Sequence, residues 1–227
     1  MVRGSIVRQG SPQAPLTMTL AHHDTIAMNL TLDQLQEKLK SWKGCPLSEH
    51  SNPVLGEGNP HAKIMFIGEA PGQKEDELGR PFVGPAGKFL DELLQSIGLK
   101  RENVYISNVV KYRPPSNRDP TPEEKEQCMP WLKLEIAIIK PKVLVPLGRH
   151  ALGHFFPELN ITSAHGKPFS VKDNVWIFPI YHPAAALHNP NLKDALHQDF
   201  QSLKQFLEST SYPSDSSADA GKLQATI

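Results

Sequence analysis

Four short stretches of the chain carry side chains able to do chemistry. Gly68-Glu69-Ala70-Pro71-Gly72 opens a loop that continues through Arg80-Pro81-Phe82-Val83-Gly84, and Asn108 precedes the run Lys111-Tyr112-Arg113-Pro114-Pro115-Ser116-Asn117-Arg118. Leu147-Gly148-Arg149-His150 forms the third, and Tyr181-His182-Pro183 leading into Ala184-Ala185-Ala186-Leu187 forms the fourth. A carboxylate such as Glu69 can hold a water or stabilise a cationic sugar in a reaction with an oxocarbenium-like transition state. The amide of Asn108 offers a donor and an acceptor side by side, which matches the O4 acceptor and N3–H donor of a uracil edge. Phe82 gives a face on which a base can stack, and His182 can hydrogen-bond the charge that develops on a departing pyrimidine anion. Each residue alone has an ordinary explanation: a Glu after a strand caps a helix, an Asn satisfies a turn, a His before Pro packs on the surface, a Phe fills core. Their common placement is what joins them.

That placement comes from the elements. Thr31 can cap a helix whose apolar positions Leu32, Leu35, Leu39 and Trp42 follow helical spacing. The apolar run 63–68 reads as a buried strand, 86–97 as a helix, the β-branched run 104–110 as a second strand, and 123–139 as a helix. A third strand is expected over 142–147, a helix over 149–156, a fourth strand over 175–180 and a closing helix over 192–207. Alternation of strand and helix predicts one α/β domain: a central four-stranded parallel sheet flanked by helices on both faces, an α/β/α sandwich. In such folds the ligand site lies beyond the carboxyl ends of the strands, and the four chemistry-bearing stretches are the segments that follow the four strands. The domain is expected over 29–208, with a poorly ordered leader at 1–28 and a disordered, Ser- and Asp-rich tail at 209–227.

Composition restricts the partners. The 227 residues carry 24 Lys+Arg against 24 Asp+Glu, so any nucleic-acid binding must rest on local rather than bulk charge. The local excess lies between Lys100 and Arg118, where Lys100, Arg101, Lys111, Arg113 and Arg118 face one acid, Glu102. No run approaches the apolar length of a membrane span and the first residues lack a secretory pattern, so a cytoplasmic protein is expected, nucleoid-associated in a bacterial host. The two cysteines, Cys45 and Cys128, fit reduced thiols better than a disulfide framework.

Together, GEGNP (56–60), GEAPGQKEDELGRPFVGPAG (68–87), NVVKYRPPSNRDP (108–120), VLVPLG (143–148) and HPAAAL (182–187) resemble the uracil-DNA glycosylase superfamily, most closely its family-four, iron–sulfur branch. The resemblance runs from about Gly44 to Leu207. It implies a monofunctional enzyme, acting as a monomer on uracil-containing DNA, that hydrolyses the N-glycosidic bond of a flipped-out uracil and leaves an abasic site. It implies Glu69 as the carboxylate at the water or sugar cation and His182 as the group stabilising the O2 anion. Phe82 would stack on the base, Asn108 would read its edge, and the loop around Ala70 and Gly72 would help hold it. Lys111, Arg113 and Arg118 would contact phosphates. The HPAAAL loop would enter the minor groove with Leu187 as its wedge, Ala186 being an equally placed alternative. The basic insertion of the DNA-cross-linking branch is missing after Pro120, so covalent trapping is not expected.

The family-four branch holds a 4Fe-4S cluster on four cysteines, and the corresponding positions here read Cys45, Ser48, Tyr112 and Cys128. Serine and tyrosine are poor iron ligands near neutral pH. No cofactor is therefore expected, with Tyr112 packing and hydrogen bonding between the N-terminal segment and the NVVK loop in the cluster's place. A 4Fe-4S cluster with non-cysteine ligands, or another metal recruited by His50 and His61, are the alternatives. Two other functions compete: a DNA-binding or scaffold protein that kept the fold and lost the chemistry, and a nucleotide-binding enzyme. The latter lacks both a G-x-x-x-x-G-K-[ST] loop and G-x-G-x-x-G spacing.

Overall fold

The computed structural model describes residues 30–171 and 174–209. The expected leader, and all but Ser209 of the expected tail, lie outside the described residues. Thr31 starts helix α1 (Leu32–Ser41) with a capping box: its hydroxyl accepts from the Gln34 amide while the Gln34 side chain accepts from the Thr31 amide. Leu35 and Leu39 then fall on one buried stripe.

Among the described residues the sheet has six strands rather than four. Its interior is the expected parallel set: β3 (Tyr105–Asn108), β2 (Ile64–Gly68), β4 (Val143–Pro146) and β6 (Trp176–Ile177). The additions are two antiparallel edges of two residues each, β1 (Glu57–Gly58) against β3 and β5 (Phe169–Ser170) against β6. Pieces so short carry no readable alternation. The fourth parallel strand is also shorter than expected, although an isolated bridge between Leu147 and Ile180 extends its pairing with the chain after β4.

Alternate residues of the central strands serve two cores. Met65, Ile67, Tyr105 and Leu144 pack toward α1, α4 (Pro122–Ile139) and α5 (Gly148–Phe155), while Ile64, Phe66, Ile106, Val143 and Val145 pack toward α3 (Pro85–Ser96) and α8 (Asn191–Glu208). This is the period-two pattern of strands covered on both faces, and it gives the expected α/β/α sandwich. Three short helices interrupt segments that the sequence reads as irregular: α2 (Gln73–Leu78), α6 (Ile161–Ala164) and α7 (Pro183–His188). Register does the rest. Gly68 lies opposite Asn108 and Ile67 opposite Pro146, so the chain leaves β2, β3 and β4 along one edge.

Candidate active site

At that edge lies a cavity of about 520 Å³ whose walls include Glu69, Phe82, Asn108, His150, Tyr181 and His182. Ala70, Gly72 and Arg118 also reach it. Its size suits a small ligand such as a nucleobase. Asn108 ends β3, is 2% exposed, and neither Nδ2 nor Oδ1 has a hydrogen-bond partner. An unpartnered buried amide costs about 1–3 kcal/mol, which an arriving ligand with the matching edge can offset. Gly68 makes room for it: a Cβ there would meet Asn108 Oδ1 at 2.4 Å and Phe82 Cζ at 2.6 Å.

Phe82 is held in an unusual backbone conformation, φ 51°, which for a bulky residue costs ~1–3 kcal/mol unless its surroundings impose it. They do. The Glu75 carboxylate accepts from the amides of Val83 (2.8 Å) and Gly84 (2.7 Å), and the Arg101 guanidinium donates to the carbonyls of Phe82 (2.9 Å) and Pro81. The Phe82 ring consequently faces the His182 imidazole, with centroids 5.7 Å apart and planes inclined by 30°. Glu75, which the sequence did not single out, and Arg101, which it offered only as one of the local cations, are positioning residues whose defining contacts lie 8 to 20 residues away.

His182 caps α7. Its Nδ1 accepts from the Ala184 amide at 3.1 Å, so the ring proton sits on Nε2. Burial lowers its pKa to about 4, with a smaller push from His150, and the imidazole is neutral at pH 7. A Cβ at Gly148, whose φ is +83°, would meet His182 Cβ at 2.8 Å, so a glycine is needed where the start of α5 passes this turn. The HPAAAL segment is thus a short helix rather than a loop. On it Leu187 is 44% exposed and Ala186 is 1% exposed, which removes Ala186 as a wedge.

Glu69 sits beside His150 of the expected third rim segment and beside Lys125 and Asp119, which the sequence did not single out. His150 Nδ1 lies 3.3 Å from its Oε1 and Lys125 Nζ 3.4 Å, and His150 Nε2 is 3.2 Å from Asp119 Oδ2. Burial raises the Glu69 carboxyl above its ordinary value, His150 and Lys125 pull it back, and Asp119 adds to the rise. Among the described residues, Glu69, Asp119 and His150 form a group that could hold a metal ion, and it includes neither His50 nor His61. Lys125 beside Glu69 and Arg149, 3.8 Å from Asp119, already supply positive charge there.

The basic stretch is less of a surface than its composition implies. Lys111 is 0% exposed, paired with Glu135, and its ammonium donates to Ser107 Oγ (2.8 Å) and the Asn108 carbonyl (2.7 Å). It points into the protein, and the expectation that it contacts phosphate is corrected. Arg101 is likewise turned inward onto the Phe82 loop. Arg118 is exposed but already holds Glu124 through two bonds of 2.9 and 2.6 Å, and Arg113 donates to Asn117 at 2.7 Å.

The four positions of a family-four cluster lie in a corner between α1, the turn Pro46–Glu49 and α4. Cys45 and Cys128 are buried, and interaction between the two thiols holds Cys128 well above its ordinary pKa and Cys45 below. Cys128 Sγ also accepts from the Lys111 amide at 3.5 Å. The Tyr112 hydroxyl shares its one proton between the carbonyls of Leu39 (3.2 Å) and Trp42 (3.0 Å), as its expected structural role requires, and burial pushes the phenol above its usual range. Ser48 Oγ is buried without a partner. Two thiols, a serine and a phenol committed to backbone carbonyls do not fit a 4Fe-4S cluster.

Fold and edge pocket define a protein of the α/β/α class with a ligand-sized cavity at the strand ends. Residues 55–207, more than half of the chain, match the profile of the uracil DNA glycosylase superfamily. The Type-4 uracil-DNA glycosylase of Sulfurisphaera tokodaii is 46% identical over 185 residues, 77% of this chain and 84% of that protein. Those of Archaeoglobus fulgidus (45% over 182 residues; 76% and 92%) and Thermotoga maritima (42% over 182 residues; 78% and 95%) are similar to it as well. The chain belongs to the uracil-DNA glycosylase superfamily, in its family-four branch.

Proposed function

We propose that the protein is a monofunctional uracil-DNA glycosylase that hydrolyses the N-glycosidic bond of a flipped-out uracil and leaves an abasic site, an initiating step of base excision repair. The observation that carries this reading is the Asn108 amide, buried at the pocket wall with both polar atoms unpartnered. Uracil fits it, Nδ2–H donating to O4 and Oδ1 accepting from N3–H, while the base stacks on Phe82. Neutral His182 donates Nε2–H to O2 as the base departs as an anion. Ionised Glu69 orients the attacking water and stabilises the sugar cation. The Ala70–Gly72 loop closes over the base.

Outside the pocket, Arg113 and Arg118 take phosphates, and Leu187 is the wedge that fills the vacated stack. The protein is read as acting as a monomer. No described helix is long and apolar enough to cross a membrane, and the protein is read as cytoplasmic. The chemistry needs no cofactor, and the donor set at Cys45, Ser48, Tyr112 and Cys128 supports a cluster-free enzyme. Uracil-containing and matched thymine-containing oligonucleotides, treated with alkali after incubation, test the activity. Cleavage of the first alone is expected, and a protein that cleaves neither is a DNA-binding or scaffold member of the fold.

A further inference from the structure

We infer that the buried Lys111–Glu135 pair is a positioning device for Asn108 and, resting on the reading of the pocket as a uracil site, sets the rate of excision rather than the affinity for DNA. The hydrogen-bond inventory of this pair is complete. An ammonium has three protons, and Lys111 gives them to Ser107 Oγ, the Asn108 carbonyl and Glu135 Oε2. Glu135 in turn accepts from the Gly56 amide (2.6 Å) and the Tyr105 hydroxyl (3.1 Å) on Oε1, and from Ser107 (2.8 Å) and Lys111 on Oε2. Neither side chain has capacity left for solvent or DNA, and both are fully buried.

Such a pair is a weak source of net stability, because desolvating two charges costs about what their attraction returns. Its geometry is informative instead. Asn108 is the last residue of β3. Beyond it Val109 and Val110 donate to the carbonyls of Gly68 and Glu69 at 2.9 Å each, and Lys111 reaches back to fix the Asn108 carbonyl from the core side. The peptide carrying the base-reading amide is thus tied to the Glu69 loop by Val109 and Val110, and to α4 through Lys111 and Glu135. Gly56 permits the closure: a Cβ there would meet Glu135 Oε1 at 2.6 Å and the Tyr105 ring at 2.3 Å. The side-chain amide that must meet uracil makes no hydrogen bond of its own, so its aim depends on how firmly its backbone is held.

The test is the double variant Lys111→Met/Glu135→Gln, which removes both charges and leaves no buried ion unpaired. Its folding is checked by circular dichroism and a cooperative melt. A fall in kcat of about tenfold or more, with KM and its salt dependence unchanged, is expected for a misaimed Asn108. Unchanged kcat overturns the inference, as does a raised KM with a flattened salt dependence, the signature of a lost phosphate contact. Ser107→Ala removes one partner from each member without stranding a charge. It serves if the double variant does not fold, with a smaller fall in kcat expected and an unchanged kcat contradicting the inference. If the wild-type protein excises no uracil, the function reading fails separately. Hydrogen exchange at the Val109 and Val110 amides then decides: faster exchange in the variant supports the positioning role, and unchanged exchange overturns it.

Discussion

Two polar regions, the pocket at the strand ends and the corner of Cys45, Ser48, Tyr112 and Cys128, treat their buried groups in opposite ways. In the pocket, Asn108 Nδ2 and Oδ1 are buried and left without hydrogen bonds, and Phe82 is kept in a costly backbone conformation by Glu75 and Arg101. In the corner the Tyr112 hydroxyl is satisfied by Leu39 and Trp42, Cys128 Sγ accepts from the Lys111 amide, and the Trp42 ring packs between Tyr112 (5.9 Å) and Trp131 (5.4 Å). Ser48 Oγ is the exception there. Unmet hydrogen-bonding capacity is retained where a ligand can use it, and capacity turned inward marks structure. By that criterion the pocket is built for a visitor and most of the corner has become part of the core.

The largest effects are expected from substitutions in the pocket. His182→Ala removes the donor aimed at the developing anion and should lower kcat by about 10²–10³, measured in single-turnover excision. Asn108→Asp replaces a donor by an acceptor, so uracil excision should fall about 10–100-fold with cytosine gaining relative to uracil. Unchanged uracil activity would remove Asn108 from its reading role. The pH profile follows from Glu69, which acts ionised and whose pKa burial raises: the rate should fall on acidification at a pH above the ordinary carboxylate range. His150 pulls that pKa down, so His150→Asn should move the acid limb to higher pH.

The corner should respond differently. Tyr112→Phe loses a hydrogen bond worth ~1 kcal/mol, expected as a Tm drop of about 2–4 °C with kcat unchanged. A large loss of activity there would make the corner part of the site. Smallest is Arg113→Ala, which should leave kcat alone and reduce the salt slope of binding by about 1.

Much of this was legible in the sequence because the strand-end rule needs only the order of elements. Glu69, Phe82, Asn108 and His182 follow apolar runs, and parallel register carries them to one edge. The structural role of Tyr112 was also legible, from its replacing a thiol where an N-terminal segment must meet the loop. What escaped depended on partners far along the chain. Lys111 reads as one more cation in a basic loop until Glu135, 24 residues on, is seen to take it. Asp119 and Lys125 join His150 around Glu69 with no shared motif to reveal it. The antiparallel edges and α7 are too short for periodicity to reveal, and Pro183 at the first turn of α7 reads equally well as a loop residue.

We propose a working uracil pocket beside a corner that needs no iron. Protein purified from iron-depleted medium, verified to contain neither iron nor sulfide, should release uracil from a uracil-containing oligonucleotide and leave its thymine counterpart intact. Excision that appears only after iron and sulfide are restored would contradict it.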